Sequence, residues 1–323
     1  MILVASVLAS ASGCVRRERT EPGGQSLGDP PPVATSDTPA RSFDGRVLTA
    51  DGRVRTYHLH VPGGLSEHAL PLVIALHGGT GSGDQFRRNS GLDELADERG
   101  FLVVYPDGVG VGPTEALRTW NGGYCCGRAA RDGVDDVGFV RELIDAIAAE
   151  FPIDPQRVFA VGHSNGGILA YRLACELSDR VAAVALQAGS LGVEGCDPEH
   201  PVSLLHLHGA ADTNHPIDGG QGGTSISGVD FHSARTSVRD FAAADGCPGT
   251  PIVEVDSVNR DLTISTWTPC AGGSEVRFVE VAGAPHAWMG HSSVAPWLTG
   301  EPYPDLDASE VVVDFVLAHP RQG

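Results

Sequence analysis

Residues 157–171, RVFAVGHSNGGILAY, decide how the rest of this chain is read. The first five are an apolar, strand-like run. Gly162-His163-Ser164-Asn165-Gly166 then places a serine between glycines, and Ile168, Leu169, Tyr171, Leu173 and Leu177 follow at the spacing of a buried helix face. A strand that turns sharply into a helix strains the serine backbone, and flanking glycines leave no side chain to collide with either element. Such a turn lifts the hydroxyl into the open and aims the first N–H groups of the helix at developing negative charge. The pentapeptide alone carries little weight in a chain with 42 glycines among 323 residues. Its flanks decide, and both agree on a nucleophile elbow rather than a Gly-rich loop.

Outward from the elbow, strand and helix patterns alternate. Residues 72–76 and 101–105 are short continuous apolar runs, as strands covered on both faces require. Between them residues 86–99 carry helical spacing and stop at Gly100; residues 137–151 repeat the pattern after Asp135 and Asp136. Residues 43–48 and 54–61 read as leading strands, and 181–186, 203–208 and 275–281 as later ones. Residues 252–257 and 262–268 form a hairpin, and 231–244 and 309–319 are helices. This alternation predicts an α/β fold, an open, doubly wound, mostly parallel sheet in one catalytic domain over residues 42–320.

Ligands of such sheets sit beyond the carboxyl ends of the strands. Four predicted strand ends carry chemistry: His77-Gly78-Gly79-Thr80, then Ser164, then Asp212 in His208-Gly209-Ala210-Ala211-Asp212, then His286 before Ala287-Trp288. A serine hydroxyl needs a base to take its proton, and the base needs a carboxylate to fix its tautomer. Ser164, His286 and Asp212 fill those roles, in the chain order Ser, Asp, His of an α/β-hydrolase triad. Asp218 and Asp230 compete for the acid, and His291 and His319 for the base. The N–H of Asn165, with that of Gly79 or Thr80, is expected to form an oxyanion hole. Trp288 is read as a pocket wall, and residues 219–228, rich in Gly and Ser, as a plain solvated loop, with a mobile loop that shapes the acyl or alcohol pocket as the alternative.

Composition narrows the partners. A formal charge of −19, from 41 acids against 22 bases, repels phosphate backbones and anionic lipid, so no nucleic acid is expected. Residues 1–14 read as an export signal: an apolar run too short to span a bilayer, then Ala11-Ser12-Gly13 before Cys14. They resemble a lipoprotein signal with Cys14 as the lipidated residue, set against ordinary secretion. Membrane attachment is expected only through that lipid, with an extracellular, secreted or periplasmic location. Residues 15–41, rich in Pro, Gly, Ser and charge, are expected to be a disordered tether. Six cysteines remain, which in an exported chain points to disulfides. Cys247 pairs with Cys270 across the predicted hairpin and Cys175 with Cys196. Adjacent Cys125 and Cys126 are either bridged or free.

With these motifs placed, the chain resembles the polyhydroxybutyrate depolymerase and feruloyl esterase group, related to family one carbohydrate esterases. The likeness runs from about Phe43 to Phe315 and includes Leu76-His77-Gly78, Arg118-Thr119-Trp120-Asn121, Cys125-Cys126-Gly127, Val134-Asp135-Asp136-Val137 and the elbow itself. The resemblance implies a serine esterase with no metal or organic cofactor. Its substrates would be feruloyl or acetyl esters of plant polysaccharide, or short hydroxyacid polyesters, with Trp120 and Trp288 at the substrate. No separate polymer-binding module is recognised after His319, so soluble or oligomeric esters are expected. A peptidase of the same fold and a tethered non-catalytic binding protein are the alternatives.

Overall fold

The computed structural model describes residues 38–64 and 68–322. The export signal, Cys14 and most of the tether lie outside the described residues. In chain order the first elements are β1 (Arg41–Leu48), β2 (Val54–Val61), β3 (Leu70–Leu76), α1 (Gly83–Ser90), α2 (Leu92–Arg99) and β4 (Leu102–Pro106). A short ribbon, β5 (Val109–Val111) and β6 (Ala116–Thr119), precedes α3 (Gly127–Arg131) and α4 (Asp136–Glu150). Then come β7 (Ile153–His163), α5 (Asn165–Glu176), β8 (Ala183–Gln187) and β9 (Ser203–Gly209). The two-residue strands β10 (Gly220–Gln221) and β11 (Asp230–Phe231) lead to α6 (Ala234–Ala244). The chain finishes with β12 (Ile252–Val255), β13 (Leu262–Trp267), β14 (Val276–Val281), α7 (Pro296–Thr299) and α8 (Ala308–Ala318).

Ten strands form one sheet in the order β1-β2-β4-β3-β7-β8-β9-β14-β13-β12. The six from β4 to β14 run parallel, and the antiparallel strands are confined to the two edges. The apolar runs explain the centre: β4, β8 and β9 are buried along their whole length, as a strand with helices over both faces must be. One face packs on α4, α5 and α6 through Leu143, Leu169 and Val238; the other packs on α1, α2 and α8 through Phe86, Leu95 and Val312. This is the doubly wound α/β class expected from the sequence.

The local differences have physical causes. The helix expected over 86–99 is two helices, because Gly91 adopts a left-handed φ of 68° and ends the first. The first starts earlier than its apolar spacing suggests, capped by Ser82 Oγ accepting from Gln85 N–H. α6 begins at Ala234, capped by Ser233, and Asp230–Phe231 pairs instead with Gly220–Gln221. Bridges join Cys125–Cys126, Cys175–Cys196 and Cys247–Cys270. Among the described residues no helix is long and apolar enough to cross a membrane.

Candidate active site

β7 delivers Ser164 at its carboxyl end, and α5 starts at the next residue. Ser164 holds φ 55° and ψ −119°, a conformation costing a non-glycine residue about 1–3 kcal/mol. The neighbouring glycines are sterically required. A Cβ on Gly162 would lie 2.4 Å from Gly166 O, and one on Gly166 would lie 2.2 Å from Leu76 O. The strain is held from outside the turn, where Ser164 N–H donates to Gln187 O on β8 at 2.9 Å.

His286 Nε2 lies 2.8 Å from Ser164 Oγ, and His286 Nδ1 lies 2.7 Å from Asp212 Oδ2. The other carboxylate oxygen, Oδ1, accepts from the N–H groups of Asn214 and His215, each at 2.8 Å. Burial opposes ionisation of Asp212, but the imidazoles of His286 and His208 and the His215 N–H outweigh it and hold the carboxyl well below its usual range. The acid therefore stays charged and accepts the Nδ1 proton of His286. That tautomer presents the Nε2 lone pair to the serine hydroxyl. The loop bearing His286 is pinned from β7 and β8: His163 Nε2–H donates to His286 O at 2.8 Å, and Gln187 Nε2 donates to Ala287 O at 2.8 Å.

A chain of buried polar groups lies behind the acid. His208 Nε2–H donates to His215 O at 2.9 Å and lies 3.7 Å from Asp212 Oδ2. Its Nδ1 must then accept, and does so from His206 Nε2–H at 3.0 Å; His206 Nδ1 in turn accepts from Tyr171 O–H at 2.9 Å. All three side chains are fully buried, and burial pushes both histidines below their usual value and the phenol above its own. The proton arrangement is thereby determined at every link. Its sequence signal was available: two histidines two residues apart on a strand share one face.

For the oxyanion hole, Thr80 N–H is already committed to Arg118 O at 2.7 Å, whereas Gly79 N–H and Asn165 N–H have no hydrogen-bond partner among the described residues. Gly79 also packs directly on Asn165, with room for a Cβ only 3.6 Å from Asn165 Cβ. The geometry thus offers Gly79 rather than Thr80. The Asn165 side chain bridges the Trp120 backbone, accepting from N–H at 2.7 Å and donating to C=O at 3.0 Å. Trp120 Nε1–H donates to His77 O at 2.9 Å, and His77 Nε2 accepts from Gly108 N–H at 2.9 Å. Burial brings the His77 pKa down to about 4, so the ring stays neutral in this role. Beneath them lies the buried pair Arg55–Asp136 at 2.8 Å, with the guanidinium 4.0 Å from the Phe139 ring centroid and the carboxylate also accepting from Asn121 N–H.

Ser164 and His286 open onto a cavity of about 440 Å³ lined also by Gly79, Phe86, Ile168 and Phe231. The two tryptophans expected at the substrate require correction, since neither lines this cavity. Trp120 is fully buried under the Gly79 loop, and Trp288 is packed edge-on against Phe86 with its N–H donated to Ser309 Oγ. The loop over 219–228 is likewise more than a solvated connection, because Ser225, Ile226 and Ser227 line the cavity. The competing residues lie elsewhere: Asp218 pairs with Arg235, His291 with Asp307, and His319 bonds Phe315 O. Asp230 sits in β11. Among the described residues the cluster spaced for a metal, Asp245, Cys247 and Cys270, has both sulfurs in a disulfide.

Residues 55–219 match the family model described as esterase PHB depolymerase. Over 302 residues the chain is 30% identical to a protein of Nocardia uniformis subsp. tsuyamanensis that carries the name esterase NocK, covering 88% of this chain and 84% of that one. It is 31% identical over 228 residues to feruloyl esterase B of Piromyces equi, covering 68% of this chain and 40% of the fungal protein, so it spans well under two thirds of that relative. An acetyl xylan esterase from Aspergillus awamori superposes with a TM-score of 0.55 at 15% identity, over 76% of this chain and 94% of that one. That structural likeness carries the α/β-hydrolase fold alone.

Proposed function

This chain belongs to the esterase PHB depolymerase family and is a carboxylic ester hydrolase, and from that premise we propose that Ser164 is its nucleophile in acyl-enzyme catalysis. The observation that carries the reading is the continuous hydrogen-bonded series from Ser164 Oγ through His286 to Asp212 at the wall of a substrate-sized cavity. Ser164 Oγ attacks the ester carbonyl while its proton passes to His286 Nε2; Asp212 stabilises the resulting imidazolium. The tetrahedral oxyanion is received by the N–H groups of Gly79 and Asn165, each worth about 100- to 1000-fold in rate. His286 then protonates the departing alcohol, and a water molecule activated by the same ring resolves the acyl-enzyme.

The substrates proposed are feruloyl or acetyl esters of plant polysaccharide and short polyhydroxyalkanoate-type esters. The apolar wall formed by Phe86, Ile168 and Phe231 suits such acyl groups. Export belongs to the same reading, supported by three disulfides in the described residues, with Cys14 as the proposed lipid acceptor. The test is a hydrolysis panel of 4-nitrophenyl acetate, methyl ferulate, acetylated xylan and 3-hydroxybutyrate oligomers, with the Ser164→Ala variant alongside. Ester turnover that vanishes in the variant supports the reading. Turnover that persists in Ser164→Ala, or silence on every ester, overturns it.

A further inference from the structure

The cavity reverses the charge of the chain that surrounds it. Acids outnumber bases 41 to 22 overall, yet among the described residues no Asp or Glu lines the cavity, and its formally charged side chains are two arginines, Arg128 and Arg131. They sit three residues apart on α3, directly after the Cys125–Cys126 bridge. Arg128 is spoken for: its Nε donates to Asp132 at 3.0 Å and its Nη1 to Gly110 O at 3.0 Å. Arg131 has neither an ion-pair nor a hydrogen-bond partner among the described residues. Glu115, which does not line the cavity, accepts from Gly110 N–H at 2.8 Å.

An unpaired guanidinium in the same cavity wall as Ser164, with no carboxylate lining that wall, offers a planar fork of donors that matches the two oxygens of a carboxylate. We infer that the site is selective for esters carrying a second, ionised carboxyl group, and that Arg131 is the specificity-determining residue that receives it. The inference rests on the esterase reading above and narrows its substrate class to half-esters and acid-terminated ester oligomers. The rest of the cavity supports the division of labour: Phe86, Ile168 and Phe231 take the apolar body of the ester, while Arg131 takes its charged end. The net charge of −19 makes such a device useful, since an anionic ester is repelled by the molecule as a whole and is favoured only where a local cation stands free.

The test uses two pairs of esters of matched shape. In 4-acetoxybenzoate against 4-acetoxybenzamide the charge lies on the alcohol side; in monomethyl terephthalate against methyl 4-carbamoylbenzoate it lies on the acyl side. For at least one pair, kcat/KM of the wild-type protein at low salt should favour the anionic member. In Arg131→Gln that ratio should fall about 2- to 5-fold through KM, a modest figure because Arg131 is solvent-exposed. In 0.5 M salt the wild-type ratio should fall toward that of the variant. The pair that responds identifies which side of the ester bond carries the charge. The same four esters titrated calorimetrically into Ser164→Ala protein read the preference without turnover. Failure of hydrolysis on the neutral members would then count against the esterase reading alone. Ratios at or below one for both pairs in binding and turnover, or ratios that Arg131→Gln leaves unchanged, would overturn the inference.

Discussion

Replacing Asp212 by Asn tests the whole proton path with a change of a single atom. In the native site Oδ1 accepts from two backbone N–H groups, of Asn214 and His215, and Oδ2 accepts from His286 Nδ1–H. Those two fixed donors dictate how an asparagine must sit. Its carbonyl oxygen has to take the Oδ1 place, because the amide nitrogen there would face two donors, at the cost of about two hydrogen bonds. The Nδ2 group then occupies the Oδ2 position and donates to His286 Nδ1, which must become the acceptor. The imidazole proton moves to Nε2 and points at Ser164 Oγ, so the ring cannot take the serine proton. A triad trapped in this tautomer loses about 10⁴ in kcat, or about 5 kcal/mol of transition-state stabilisation. KM should stay within a few-fold of wild type, because Asp212 is buried and does not line the cavity. The assay is kcat and KM on 4-nitrophenyl acetate at pH 7, with a melting curve to show that the variant is folded. A folded Asp212→Asn protein that retained more than a tenth of the wild-type kcat would refute the assignment of the acid and the tautomer argument together.

Three further outcomes follow from the same geometry. Ser164→Gly and Ser164→Ala should both abolish ester turnover and both lose the hydroxyl bonded to His286, but the glycine variant should be the more stable of the two by about 1 kcal/mol, the relief of a strained φ of 55° less the entropy of an added glycine; a denaturant melt in which Ser164→Ala is the more stable would contradict the strain. His208→Phe should lower kcat about 10- to 100-fold with little change in KM, because the Asp212–His215 turn loses the donor that His215 O accepts, and small displacements of a triad member are costly. His208→Gln, which keeps a donor at that point, should recover much of the loss, and equal kcat values for the two variants would remove His208 from the positioning role. Asp245 has its pKa raised to about 6, chiefly by burial, so the folded state favours its neutral form. The stability it contributes is full below the unfolded value of 3.8 and lost as pH rises through about 6. Asp245→Asn should therefore stabilise the protein at pH 8 more than at pH 4. It also resolves the local bonding, since Ser274 Oγ has one proton and two acceptors within reach, Asp245 Oδ2 and Ala271 O. Equal melting shifts at the two pH values would disprove the account.

What was legible in the sequence depended on whether the physics was local. The elbow could be read because its requirement is steric and lies within five residues: Gly162 and Gly166 have no room for a Cβ. The positions of Asp212 and His286 could be read one level up, because parallel strands deliver their carboxyl ends to a common edge and so bring together residues 74 positions apart. The tryptophans failed because an aromatic side chain announces a need for apolar surroundings without saying whose. Trp120 satisfies it beneath the loop that carries Gly79, orienting the site without facing it. The break at Gly91 was hidden because the first segment holds a single large apolar residue, Phe86, too little to fix a helical phase against that of Leu92, Leu95 and Ala96, and the backbone conformation shows two helices. The choice between Gly79 and Thr80 marks the limit most clearly. Both have an N–H at the end of the same strand and both stand beside the elbow, so no propensity or spacing separates them. What separates them is one backbone hydrogen bond, from Thr80 N–H to Arg118 O, formed with the β5–β6 ribbon. That ribbon is short, exposed along much of its length and without a period-2 apolar signal of its own. Preferring Gly79 over Thr80 therefore turns on a short ribbon held in place by α3, through Arg128 Nη1 donating to Gly110 O and Val109 packing on Ala129, an arrangement that becomes visible only when the chain is folded.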